Sequence, residues 1–473
     1  MKDKFLKSIL NTSQNQGEIN KDSRRDFIQK AGMGGLALGL MFNEDIQREV
    51  EFTTQKVKRS SSPTDLKITD LRIAYTSEAP LIKIDTNQGI YGLGEVRDNG
   101  SPKYALFLKS RLLGKNPCNV EQLFKLIKQF GGHGRLGGGV SGVEMALWDL
   151  VGKAYNVPVY QLLGGKYRDK IRIYADTPGS KDPAVYAKRM NGRIEQGYTF
   201  LKMDFGIRLI SDIKGALIGG DAWDFGKQWS EELGSLGATK HPFTRIQITD
   251  LGLEKLVEYV SIVRDIVGYE IPLAADHFGH FDTNTAIRLG NALEKYQLAW
   301  LEDMVPWFYV DKWRQITEAI NTPTLTGEDT YLLKGFKEMI DKKAVDMVHP
   351  DLASAGGILE TKKIGDYAEE NGIAMALHFA GTPVSFMANV HSAAATQNFV
   401  ALEHHDVDTP WWEDLVTGDK PLVQEGYVKV PEKPGLGVDL NEEVVKEHLR
   451  EGEKYFAPTP EWDKDQSWDR TWS

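Results

Sequence analysis

Three acidic residues close three short apolar segments at an equal spacing of 26 residues: Asp276, Glu302 and Glu328. One helix-like segment lies within each interval, so the pattern predicts strand, helix and strand in alternation, with an acid at each strand end. In a parallel barrel the strand ends converge on one face. Three carboxylates on that face form a hard, all-oxygen site, which suits Mg²⁺.

A histidine and two further acids follow in the same register. Asp351 comes just after the sixth predicted strand and His378 ends the seventh, so neighbouring strands can bring them within hydrogen-bonding distance. A carboxylate on one ring nitrogen fixes the tautomer and raises the basicity of the other, which suits proton abstraction. Glu403 ends the eighth strand. If protonated, it could donate a hydrogen bond to a developing oxyanion; a strand-end salt bridge is the alternative.

The second predicted strand ends in Lys202 and Asp204, which share a face because strand residues alternate. Both can point inward, where Lys202 could bind a substrate carboxylate or act as an acid and Asp204 could contact the substrate. His277 and His280 follow the first predicted metal ligand and are further candidates for an acid or a substrate contact. Together these groups suit removal of a proton beside a carboxylate, with the resulting enediolate charge held by Mg²⁺ and hydrogen-bond donors.

Eight apolar strands alternating with helical segments must position these groups, and this alternation predicts a (β/α) barrel of the TIM type over residues 170–410. The long gap from 205 to 270 predicts a flap or insertion. The predicted strands are Ile171–Ala175, Phe200–Asp204, Ile271–Asp276, Leu298–Glu302, Thr324–Glu328, Val345–His349, Ala374–His378 and Phe399–Glu403.

Strands followed by helices predict an α+β capping domain over residues 66–169, to which the segment 411–473 returns. Within it, Gly132–Gly137 matches G-x-G-x-x-G, but the segment before it is helical, so the strand that a dinucleotide site needs is missing. We interpret it as a mobile loop over the site, with His133 and Arg135 contacting substrate. A plain surface loop is an equal alternative.

The N-terminal residues have the pattern of an export signal. Arg24 and Arg25 lie in a twin-arginine motif, and a 12-residue apolar run, too short to span a bilayer, follows them. We therefore expect a twin-arginine signal over residues 1–45, a linker over 46–65, the twin-arginine translocase as a partner, and a periplasmic or otherwise exported protein. No stable membrane insertion is expected.

Composition limits the remaining possibilities. The 473 residues carry a net charge of −10 without a basic stripe, which argues against a nucleic-acid partner. The single cysteine, Cys118, excludes an intramolecular disulfide. We expect a small-molecule substrate and a homo-oligomer.

The motifs resemble the mandelate racemase subgroup of the enolase superfamily over roughly residues 66–439. The resemblance rests on Trp300–Asp303, Gly327–Asp329, Pro350–Ile358, Ser141–Asp149 and Pro434–Val438. It implies Mg²⁺ on the three spaced acids, a His378–Asp351 general base and an electrophilic Glu403.

Within this subgroup the chain looks most like sugar-acid dehydratases of the galactonate and mannonate type, although two positions differ. The second strand has Lys202-Met203-Asp204 where mandelate racemase has Lys-x-Lys, and Phe278 stands where the galactonate type has a histidine. The prediction is a Mg²⁺-dependent dehydratase, a hydro-lyase giving a 2-keto-3-deoxy acid, with His280, His277 or Lys202 as the leaving-group acid. A sugar-acid epimerase, racemase or cycloisomerase, or a catalytically silent binding protein, are the alternatives.

Overall fold

The computed structural model describes residues 62–218, 247–276 and 282–464. The predicted export signal and most of the linker, together with His277 and His280, lie outside these residues. No described helix combines the length and apolar character needed to cross a bilayer.

An antiparallel sheet of three strands begins the described chain: β1 (Ile68–Tyr75), β2 (Pro80–Thr86) and β3 (Tyr91–Glu95). Helices α1 (Val120–Ile127) and α2 (Gly138–Tyr155) follow it. The sheet packs closely on α2 because glycines face each other there. A Cβ atom at Gly94 would lie 2.0 Å from the carbonyl oxygen of Gly142. This small α+β domain is the one that the sequence predicts.

Eight parallel strands form a closed barrel, as the sequence predicts, in which the last strand pairs with the first. The strands are β4 (Lys170–Ala175), β5 (Leu201–Asp204), β6 (Leu273–Asp276), β7 (Leu301–Glu302), β8 (Thr324–Thr326), β9 (Met347–Val348), β10 (Ala374–Leu377) and β11 (Phe399–His404).

One helix follows each of seven barrel strands: α3 (Pro183–Glu195), α4 (Asp250–Val267), α5 (Thr283–Leu293), α6 (Val310–Thr317), α7 (Leu332–Asp341), α8 (Ile358–Glu370) and α9 (Pro383–Ala395). Short helices span Lys103–Leu106, Lys109–Leu112, Val159–Leu162, Leu352–Ala355 and Glu442–Glu447.

One layer of apolar side chains fills the barrel interior, with a residue from each strand or the position just before it. The Tyr174 and Trp300 rings contact edge to face in this layer, with centroids 5.3 Å apart. Because side chains alternate along a strand, the residues two positions further on face the same interior at the carboxyl end. The layer consists of Tyr174, Phe200, Ala274, Trp300, Leu325, Met347, Ala376 and Ala401.

Several strands end earlier than their sequence pattern predicts, so some predicted site residues lie on the loops just beyond them. Strand β8 stops at Thr326, and Gly327 then takes a φ of +138°. A Cβ atom there would also lie 2.6 Å from the Phe336 ring. The glycine therefore permits the sharp turn that precedes Glu328.

The predicted insertion between β5 and β6 is described only in part. The insertion after β5 contains an antiparallel pair, Leu217–Ile218 with Gln247–Ile248, and residues 219–246 between these two strands lie outside the described residues.

The C-terminal segment contacts both domains. Its strand Tyr427–Lys429 pairs with β4, Val416–Thr417 pairs with Asp439–Leu440, and the Arg450 N–H donates to the Tyr75 carbonyl.

Candidate active site

Lys202 lies among carboxylates at the carboxyl end of the barrel. Its Nζ atom is 2.6 Å from Glu403 Oε1, 3.0 Å from Asp276 Oδ2 and 3.7 Å from Glu302 Oε1. All four side chains stand two positions after a member of the interior layer, which explains why they meet. Burial lowers the pKa of Lys202, but the charges of Asp276, Glu302 and Glu403 outweigh it and raise the pKa well above its usual value. Lys202 therefore stays protonated, which makes it a poor candidate for a base.

The three spaced acids have the donor chemistry of a Mg²⁺ site. Glu302 Oε1 is buried without a hydrogen bond. Burial, followed by the charges of Glu328, Asp276 and Glu302, raises the pKa of Asp303 well above its usual value, which reflects the density of negative charge. This all-oxygen set fits a hard divalent cation.

The acids are engaged by protein cations, however. Lys202 contacts two of the three, and Glu328 contacts His378. Within the described parts of the chain, no group of three Asp, Glu, His or Cys side chains is arranged to hold a metal ion. Asp276, Glu302 and Glu328 are the residues that would hold Mg²⁺, in place of their present contacts with Lys202 and His378.

His378 and Asp351 form the hydrogen bond that the sequence predicts, with Nδ1 and Oδ2 2.7 Å apart. Asp351 is held in turn by its other oxygen, which accepts the backbone N–H of Ser354. The other ring nitrogen of His378, Nε2, lies 3.2 Å from Glu328 Oε2. Burial lowers the pKa of His378, but the charges of Glu328, Glu403 and Asp351 raise it to about 10. The ring is held protonated while these carboxylates keep their full charge.

Glu403 differs from the protonated donor considered from the sequence. Burial raises its pKa, but the Lys202 ammonium, aided by His378, lowers it to about 2. Its Oε2 accepts hydrogen bonds from the Tyr174 hydroxyl at 3.1 Å and the Phe379 N–H at 3.3 Å. In this structure Glu403 is an ionised acceptor in a salt bridge. The electrophilic role of Glu403 stays a prediction.

His349 was not among the residues selected from the sequence, but the structure places it beneath the site. Its Nε2 lies 2.8 Å from the Tyr174 hydroxyl, and its Nδ1 lies 3.1 Å from Glu302 Oε1. Trp300 Nε1–H donates to the other oxygen of Glu302 at 2.9 Å. The signal was present in the sequence, because His349 stands two positions after Met347 of the interior layer.

Asp204 ends β5, where it is the register partner of Asp276 on β6. Its backbone N–H donates to the Tyr186 hydroxyl at 2.7 Å. Burial and then the charge of Asp204 are the largest causes that raise the pKa of Asp176 to about 7. Asp204 therefore lies beside Asp176, which follows β4, and its predicted contact with substrate stays a prediction.

His133 contacts the loops that follow β7 and β8, whereas Arg135 contacts the segment that follows β3. His133 Nδ1 accepts the backbone N–H of Tyr331 at 3.1 Å, and its ring packs on Trp307 with centroids 4.3 Å apart. Arg135 pairs with Asp98 at 2.8 Å. Residues 134–137 form a short 3₁₀ helix, and the Gly134 N–H donates to the Asp329 carbonyl at 2.8 Å, so the glycine-rich segment contacts the loop that follows β8. Substrate contacts by these two residues remain predictions.

Two family models match the chain. The mandelate racemase/muconate lactonizing enzyme N-terminal domain matches residues 49–164, and the enolase C-terminal domain-like model matches residues 185–444. The chain belongs to the mandelate racemase/muconate lactonizing enzyme family. The resemblance inferred from its motifs to this branch of the enolase superfamily is thereby confirmed.

Members of this family with curated names are similar over most of their length. A D-xylonate dehydratase of Haloferax volcanii is 34% identical over 80% of this chain and 86% of its own. A D-galactonate dehydratase family member of Musicola paradisiaca is 30% identical over 82% and 95%. A mandelate racemase/muconate lactonizing enzyme-like protein of Rubrobacter xylanophilus superposes with a TM-score of 0.72 at 32% identity, covering 83% of this chain and 99% of that one. The family and these relatives place the chain among the hydro-lyases of the enolase superfamily.

Proposed function

We propose that this protein is a Mg²⁺-dependent sugar-acid dehydratase that forms a 2-keto-3-deoxy acid. The observation that carries the proposal is the His378–Asp351 pair, whose second ring nitrogen, Nε2, lies 3.2 Å from Glu328 Oε2 among the spaced acids. Supporting it, one curated relative that the chain matches is named a D-xylonate dehydratase and another a D-galactonate dehydratase family member. Among protein residues, Asp276, Glu302 and Glu328 would hold the ion.

The proposed reaction starts with removal of the proton from C2 of the sugar acid. His378 Nε2 accepts it, while Asp351 holds Nδ1 and fixes the ring orientation. The electron pair of the C2–H bond then forms a C2–C3 double bond as the C3–O bond breaks. With one proton from an acid, the hydroxyl leaves as water, and the enol tautomerises to the 2-keto acid.

When bound, Mg²⁺ would supply positive charge beside the substrate carboxylate and offset the carboxylate charge near His378. Lys202 remains protonated among Glu403 and the acids, so it suits contact with an anionic substrate rather than a second proton abstraction. A single base favours elimination over two-base racemisation.

Two assays on one substrate library test this function. Aldonic and aldaric acids are incubated with enzyme and Mg²⁺ in D₂O. We expect C2 exchange by NMR and a 2-keto acid by a carbonyl-specific reagent, with both signals lost on addition of EDTA. Inversion at C2 without a keto acid would contradict the dehydratase assignment and favour an epimerase. Tight binding without exchange would favour a silent binding protein.

The leaving-group acid should show itself by separating the two signals. His280→Asn, His277→Asn and Lys202→Met are compared for water elimination and for C2 exchange. Loss of the acid should reduce elimination more than exchange, by about 10²–10⁴-fold in the elimination step, because the proton leaves C2 first. If all three variants reduce both rates in parallel, none of these residues has that role.

We further propose that the twin-arginine motif directs export. Replacing Arg24 and Arg25 together with lysine should retain the protein in the cytoplasm, because the translocase recognises the arginine pair. Fractionation of cells expressing the wild type and the double variant, with immunoblotting, measures this. Equal delivery of both proteins outside the cytoplasm would contradict it.

A further inference from the structure

Arg97 of the small domain reaches the barrel site, although the sequence analysis did not select it. It follows β3 by two residues and is 1% exposed. Glu95, at the end of β3, anchors this segment to the barrel. Its buried carboxylate accepts hydrogen bonds from the Thr382 N–H at 3.0 Å and the Ser385 hydroxyl at 2.9 Å. Arg97 is thereby held on the barrel beside the catalytic groups.

The guanidinium of Arg97 contacts the segment around Glu328 at three atoms. Nη1 donates to the Glu328 carbonyl at 2.9 Å and to Asp329 Oδ1 at 2.8 Å, while Nη2 donates to Glu328 Oε1 at 3.2 Å. The other oxygen of Glu328 is the one near His378. Because a guanidinium donates in a rigid planar fork, these contacts fix both the backbone and the carboxylate of a predicted metal ligand.

The same guanidinium supports the acid that orients the base. Nη1 also donates to the Ser354 hydroxyl at 2.7 Å, and the Ser354 N–H binds Asp351 Oδ1. Arg97 Nε lies 3.9 Å from Asp351 Oδ2, the oxygen that contacts His378. One side chain of the small domain therefore contacts both Glu328, a predicted metal ligand, and Ser354, which holds the Asp351 partner of the general base.

We propose that Arg97 is a positioning residue that couples docking of the small domain to Mg²⁺ affinity and to the orientation of the His378–Asp351 pair. This inference rests on the proposed Mg²⁺ function. It makes the small domain part of the catalytic machinery as well as a cover for it.

The sign of the effect on Mg²⁺ binding separates positioning from simple electrostatics. A cation beside Glu328 repels Mg²⁺, so loss of its charge alone should tighten binding. Loss of positioning should weaken it, since outer partners of metal ligands typically contribute about 10–100-fold in affinity. We therefore expect Arg97→Gln to weaken Mg²⁺ binding by about 10–100-fold. Arg97→Lys, which keeps the charge but loses the fork, should also weaken it.

Isothermal titration calorimetry with Mg²⁺ and no substrate measures the affinities, and thermal unfolding accompanies each variant. Arg264→Gln is the matched control. Arg264 is equally buried, at 2% exposed, but it binds the carbonyls of Ile271 and Gln297 at the opposite, amino-terminal end of the barrel. This control should lose stability and keep its Mg²⁺ affinity.

The outcomes distinguish this inference from the proposed function. Wild-type protein that fails to bind Mg²⁺ overturns both. If the wild type binds, unchanged or tighter binding by Arg97→Gln overturns the positioning role alone. An equal loss of affinity in Arg264→Gln also overturns it, because the effect would then follow from stability.

Discussion

Replacing His378 with asparagine should slow both water elimination and C2 proton exchange, lowering kcat by about 10²–10⁴-fold. The amide has no basic nitrogen in the place of Nε2, which lies 3.2 Å from Glu328 Oε2 in the wild type. It can still donate to the Asp351 carboxylate, so the pocket should keep its shape. Keto-acid formation and deuterium incorporation, measured on the same substrate, check the result.

His448→Asn is the matched control for this variant. His448 is stacked on Trp411, with ring centroids 3.9 Å apart, and belongs to the C-terminal segment rather than to the site. It should retain the wild-type rates. If His378→Asn still exchanges the C2 proton at the wild-type rate, another residue is the base.

The isosteric variants Asp276→Asn, Glu302→Gln and Glu328→Gln should each lower turnover by roughly 10³-fold or more, because a bound metal contributes several kcal/mol of charge stabilisation. Each removes one anionic oxygen ligand of the predicted Mg²⁺ while conserving volume. Mg²⁺ binding should weaken in parallel by calorimetry, and the barrel should remain folded by circular dichroism.

Asp366→Asn tests whether loss of any acid has this effect. Asp366 is exposed on α8 and pairs with Lys362 one helical turn away. Its loss should change neither turnover nor Mg²⁺ affinity. Full activity of the wild type in EDTA would contradict the metal requirement, whatever the variants do.

Local sequence determined the alternation of barrel strands and helices, and which chemical groups stand at or just beyond the strand ends. Hydrophobic segments alternating with helical ones require a parallel sheet covered by helices, and the carboxyl ends of its strands meet at one face. The period of two along each strand was enough to bring Lys202, Asp276 and Glu302 together. The His378–Asp351 contact followed for the same reason, since both residues succeed adjacent strands.

The local sequence pattern did not predict the exact end of β8, and it did not mark His349 as a site residue. Glu328 lies beyond the end of β8, and the chain turns just before it at Gly327, which has a positive φ. His349 was missed although it has the right periodicity, because the local sequence does not show which side chains of other strands a strand-end histidine will contact. Its contacts with Tyr174 and Glu302 come from strands far apart in the chain.

The tertiary structure decided the charge states and the role of the small domain. Whether Glu403 is an acid or an ionised partner depends on Lys202, which is 201 residues earlier and becomes its neighbour across the closed barrel. Arg97 reaches Glu328 because β3 docks on the barrel through Glu95, across 231 residues of sequence. A pKa and a hydrogen-bond partner are properties of a three-dimensional environment, and periodicity within one element contains no information about the element that packs against it.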